Sequence, residues 1–164
     1  MKTLTMVLVG AAAFAAIAPS LPTGAQTAAQ SAALEKRLLA AKKLECTFGT
    51  LATGDWEKGT KGTKATVAPA KLSLSFFNID IDEGTADSES GFGATFISVK
   101  YAHGYLHFMQ ISDAGPLYLT TVLATETVTG RFKAIHTRHE WSPAVVPGFT
   151  SRPELYVGDC AAAS

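Results

Sequence analysis

The chain has 164 residues with 47% hydrophobic and 17% charged side chains, enough apolar content for one packed domain and too little charge for a solvated disordered tail. Fourteen Lys and Arg balance fourteen Asp and Glu. That neutrality excludes the basic footprint of a nucleic-acid partner or an anionic membrane surface.

Met1 to Ala25 reads as a secretory signal. Lys2 is its one charge, Leu4 to Ile17 is apolar, and Pro19, Ser20, Pro22 and Gly24 break the helix. Thr23 and Ala25 are small residues at −3 and −1 of a cut before Gln26. The apolar run is shorter than the ~20 residues a spanning helix needs, so no integral membrane span is expected after cleavage. Losing Lys2 leaves the mature chain with one more acid than base. The expected location is secreted or periplasmic. In that oxidising setting Cys46 and Cys160 are expected to form a disulfide.

Residues 26–43 are Ala-rich, with Leu34, Leu38 and Ala41 at helical spacing. They predict a short helix or a partly helical tether, with Ser31 as a plausible N-cap. Residues 44–160 form the domain, and 161–164 a tail. From Leu44 the period becomes two: Leu44, Cys46 and Phe48 alternate with Glu45, Thr47 and Gly49. Gly54-Asp55-Trp56 is expected to end this strand in a turn, followed by a polar loop over Glu57 to Lys64. Lys71 to Ile81 predicts a long strand, and its change of phase between Phe76 and Phe77 suggests a bulge or burial on both sides. After a turn at Asp82-Glu83-Gly84, Thr85 to Asp87 can pair back.

Four strand-like runs follow, from Ala94, Tyr105, Pro116 and Arg131, with Gly104, Gly115 and Gly130 in the turns. A loop with Pro143, Pro147 and Gly148 precedes a last strand, Arg152 to Asp159. The fold class is all-β: an antiparallel meander of about eight strands behind a short helix. A Cys46–Cys160 bond sets the first strand beside the last, as a closed small β-barrel requires, although a β-sandwich also accommodates it.

The densest polar cluster is His136, Arg138, His139 and Glu140. Strand alternation points His136 and Arg138 one way and His139 the other, so a regular strand does not offer both imidazoles to one metal. Asp80, Asp82 and Glu83 form a second cluster; Asp80 and Asp82 share a strand face, as paired acids or ligands of a hard cation would. No Gly-x-Ser-x-Gly or phosphate-binding glycine loop stands in a suitable setting. No catalytic residue, metal or cofactor is assigned.

Gly54-Asp55-Trp56 resembles the Gly-x-Trp near the first strand of lipocalins and avidin-like barrels. The resemblance implies a Trp56 packed at the barrel base and a calycin-like carrier of a small ligand. Here the motif follows the first strand rather than opening it. Over a longer span, Asp80-x-Asp82-x-Gly84-Thr85-Ala86, Thr120-Thr121-Val122, Arg138-His139 and Tyr156-Val157-Gly158-Asp159-Cys160 resemble small exported bacterial β-domain proteins of unknown function. That resemblance implies an exported β domain and no particular chemistry. The expected function is therefore a non-enzymatic, exported β-barrel that binds a small molecule or an envelope component. The ligand candidates are His136, Arg138, His139, Asp80, Asp82 and Trp56. The alternatives are a small-ligand carrier and a small metal-dependent hydrolase built on His136 and His139.

Overall fold

A computed structural model describes residues 27–56, 62–90, 93–112, 115–142 and 152–163. The expected signal, the turn at Asp113-Ala114 and the Pro143–Gly148 loop lie outside the described residues. One helix, α1 (Ala28–Leu39), precedes eight strands. These are β1 (Lys43–Trp56), β2 (Thr63–Asp80), β3 (Thr85–Ser90), β4 (Gly93–Ala102), β5 (Tyr105–Ile111), β6 (Leu117–Glu126), β7 (Phe132–His139) and β8 (Glu154–Ala163). Each strand pairs antiparallel with the next, and β8 pairs back on β1. β8 takes in Ala161 to Ala163, which the sequence assigns to a tail.

The helix is capped by Thr27 rather than Ser31. Thr27 Oγ1 accepts from the Gln30 N–H while the Gln30 side chain accepts from the Thr27 N–H, the reciprocal capping box that Thr-x-x-Gln permits. The helix is docked as well as capped. Leu34, Leu38 and Ala41 are buried in the core, and Tyr101 of β4 donates a hydrogen bond to Glu35. Arg37 pairs with Glu126 at 2.5 Å and lies 4.3 Å over the Phe132 ring. The narrow apolar stripe suffices because its leucines meet the apolar end of the inner face, where Phe132 and Leu44 sit.

Alternation puts one side of every strand into this inner face. Phe48, Phe108, Phe132, Leu44, Leu106, Ile79 and Val122 are almost wholly buried there. Phe76 stacks on Phe108 with ring centroids 4.2 Å apart. Burying each such side chain stabilises by about 1.5–3 kcal/mol. Cys46 and Cys160 face each other in the β1–β8 register and are joined by a disulfide spanning 114 residues of chain.

Among the described residues the register shifts at three places, Phe48/Thr50, Phe77/Asp80 and Val122/Glu126, and the first two bear on the core. The phase change in β2 is a bulge at Asn78, whose φ is 52°; it returns Ile79 to the face that Phe76 already occupies. A second bulge at Gly49 shifts the register of β1 against both neighbours. Across β1, Gly158 lets β8 come close: a Cβ there would lie 2.0 Å from the Thr47 carbonyl oxygen and 2.9 Å from the Phe48 ring. At the β4–β5 hairpin, His103 and Gly104 both have positive φ, the backbone of a two-residue primed turn.

The expected turn at Gly54-Asp55-Trp56 is not formed. These residues continue β1 and pair with Ala65, Lys64 and Thr63 of β2. The segment Thr63–Val67, with two threonines and a valine, is a better strand than Lys64 suggests, and Pro69, which has no N–H for the ladder, sits beside the bulge opposite Thr50.

Candidate functional site

The polar groups of the inner face gather at the end away from α1. β6, β7 and β8 each contribute alternate residues to it: Tyr118 and Thr120, His136 and Arg138, Glu154 and Tyr156. Register makes the cluster. Thr120 pairs with His136, His136 with Tyr156, Tyr118 with Arg138, and Arg138 with Glu154. Thr120, His136, Glu154 and Tyr156 are all buried. Phe48 of β1 closes the group from the apolar side, with its ring centroid 5.8 Å from His136 and 6.4 Å from Tyr156.

Each buried polar side chain in this group has a partner. Thr120 Oγ1 lies 2.8 Å from His136 Nδ1, and Arg138 Nε donates to His136 Nε2 at 3.5 Å. An accepting Nε2 places the imidazole proton on Nδ1, which then donates to Thr120. Tyr156 donates to Glu154 Oε2 at 2.7 Å, and Arg138 Nη1 lies 3.7 Å from the same oxygen. The guanidinium also stands 5.5 Å from the Tyr156 ring centroid and 6.0 Å from that of Tyr118. Tyr118 in turn donates to Glu140 at 3.3 Å.

The electrostatics follow from burial. Desolvation, with Arg138 beside it, pushes the His136 imidazole down to about 4. Desolvation and the bond to Glu154 push the Tyr156 phenol up to about 12. Desolvation, then the nearby Glu140 carboxylate, raises Tyr118. At neutral pH the network therefore holds a neutral histidine and neutral tyrosines around an Arg138–Glu154 pair. None of these shifts prepares a proton donor or acceptor for work near neutrality.

The other sequence candidates lie elsewhere. His139 is exposed on the outer face, where its Nε2 lies 3.1 Å from Thr137 Oγ1; strand alternation separates it from His136 as expected. Asp80 caps its own turn, its Oδ1 accepting from the N–H groups of Asp82 and Glu83 at 3.0 and 2.9 Å. Asp82 and Glu83 are exposed at the helix end of the sheet, opposite the His136 cluster. The strand ends at Asp80 and the chain turns from Ile81, so Asp80 and Asp82 do not continue one strand face. Trp56 does not pack at a base. It stands exposed at the far end of β1, edge-to-face with Trp141 at 6.3 Å, because β1 runs beyond the packed core.

Among the described residues no group of three or more His, Cys, Asp or Glu is placed to hold a metal. No helix among them is long and apolar enough to cross a membrane. No family model, no curated protein and no solved structure matches the chain. Sequence reasoning missed Tyr118, Thr120, Glu154 and Tyr156 as members of the cluster. Glu154 and Tyr156 carried a signal, since their two-residue spacing puts them on one strand face. Thr120 carried none without the β6–β7 register.

Proposed function

We propose that this protein is an exported, non-enzymatic β-barrel, closed by the β1–β8 pairing and filled by its own side chains, that acts through its outer wall. The observation that carries this reading is the occupied inner face. α1 covers one end, phenylalanines and leucines fill the middle, and a hydrogen-bonded network takes up the other. A carrier needs an apolar cavity of several hundred Å³. A hydrolase needs a proton-transfer group free to reach substrate, and the buried histidine and tyrosines here are bonded to one another's neighbours. Export is supported by the N-terminal sequence and by a buried disulfide, which persists in oxidising compartments. The protein is thus periplasmic or secreted, in keeping with its resemblance to small exported bacterial β domains.

Native mass spectrometry of protein taken from its host tests this reading. The expected species is the chain from Gln26 to Ser164 with one disulfide and no bound small molecule. A stoichiometric ligand released only on unfolding would replace the filled barrel with the carrier. A retained N-terminus would remove the cleaved signal.

A further inference from the structure

β2 is 18 residues long and β3 only 6, and the mismatch leaves an open edge. β1 covers one side of β2 from Thr63 to Phe77. β3 covers the other side only from Ser75 to Asp80, and its hairpin with β4 closes at Ser90 and Gly93. Among the described residues, 63–74 of β2 therefore have no second neighbour in the sheet. Pro69, which has no N–H, and the bulge opposite Gly49 interrupt this edge. Before them runs a regular stretch, residues 63–68, about 20 Å long and the length of an ordinary strand. Every residue in it is exposed. Alternate residues of an edge turn both backbone groups away from the sheet, so roughly three N–H and three C=O groups face outward here. Thr66 is held to Thr53 of β1 by a 2.6 Å bond between hydroxyls, so the edge is ordered before any partner arrives.

We propose that residues 63–68 take an extended acidic segment of a partner protein as an added β-strand; the inference rests on the outward-acting reading above. A row of unpaired strand backbone is complementary to another chain in β conformation, which sets the form of the occupant. Charge sets its character. Residues 63–74 contain Lys64 and Lys71 and no acid. Both lysines are exposed, and among the described residues neither forms an ion pair. Asp55, which lies opposite Lys64, pairs instead with Arg152 at 3.0 Å. A second copy of the same edge would gather both lysines of each chain into one ribbon without a carboxylate, and like charge stands against that pairing. An acidic strand turns the same two charges from a guard against self-pairing into a means of selection. Between them Ala65, Thr66, Val67 and Ala68 carry short side chains, which leave a partner strand room to approach.

Fluorescence anisotropy tests this with a labelled peptide of Val and Thr flanked by Glu, titrated with the disulfide-intact chain to about 100 μM. Saturable binding is expected, about tenfold tighter than for the same peptide flanked by Lys. Amide hydrogen exchange should slow at alternate residues of 63–68 in the complex. The double variant Lys64→Gln with Lys71→Gln, both at exposed positions, should bind the two peptides within about twofold of each other. A wild type that does not bind the Glu-flanked peptide would overturn the proposal. So would binding that leaves exchange over 63–68 unchanged, or a double variant that keeps the full preference for Glu. A wild-type dimer with the same amides protected in the absence of peptide would assign the edge to a second copy instead. Failure to bind peptide, in a chain that native mass spectrometry finds free of small molecules, would remove the edge site alone and leave the filled-barrel reading standing.

Discussion

Thr120 Oγ1 and His136 Nδ1 lie 2.8 Å apart across the β6–β7 pair, where the register sets the two residues directly opposite. On its other side the imidazole accepts from Arg138. A neutral ring satisfies both contacts. A protonated one would turn an N–H toward a guanidinium and carry its charge into a buried site.

Acid should therefore destabilise the fold through His136. Its folded value of about 4 lies below the ordinary 6.5, so the unfolded chain binds the proton first as pH falls. The contribution is intact above about pH 6.5, is lost between 6.5 and 4, and is flat below; from the size of the shift it reaches about 3 kcal/mol. Urea melts at pH 7 and 4.5 check it. His136→Gln is expected to be less stable than wild type at pH 7, yet to lose less on going to pH 4.5.

Gly158→Ala should cost more than its single methyl suggests. The added Cβ would meet the Thr47 carbonyl oxygen at 2.0 Å, and backbone must move to admit it. A loss of at least ~2 kcal/mol is expected in a denaturant melt. Gly49→Ala is the control, since nothing lies within 4 Å of its added methyl.

Docking of α1 rests on burial more than on ions. Leu38→Ala should lose about 2–4 kcal/mol, because the leucine is wholly inaccessible in the core. Arg37→Ala should lose less than about 1.5 kcal/mol, since its pair with Glu126 is half open to water. Thermal melts of the two variants compare the terms directly.

The disulfide ties the first strand to the last. Replacing Cys46 and Cys160 together by alanine should lower stability by about 3–5 kcal/mol, the range expected for so long a closed loop. Reductant should leave the folded wild type unaffected until it opens, because both sulfurs are buried.

How far the sequence could be read depended on where each residue's fate was decided. The strands around Ile97, Leu106 and Phe132 were legible because their alternation matches the inner face. The disulfide was legible from two cysteines behind a predicted export signal. β6 was legible as a strand but its inward face was not, since hydrophobicity alone would turn its three leucines inward, whereas cross-strand packing against Phe108 and Leu106 puts Thr120 and Val122 there. Gly54-Asp55-Trp56 misled because its turn-like composition was outweighed by pairing with Thr63 to Ala65. Within the site, the shared face of His136 and Arg138 followed from alternation. Their partners Thr120, Glu154 and Tyr156 depend on register between strands, which local sequence does not specify.

The most direct test of the account is the state of the His136 ring, read by ¹⁵N NMR of labelled imidazoles across a pH titration. A closed, filled interior predicts a neutral ring with the proton on Nδ1, persisting until the pH approaches about 4. A ring that carries its proton on Nε2, or that titrates near 6.5, would contradict the account, because His136 would then be open to water and free to exchange protons with a ligand.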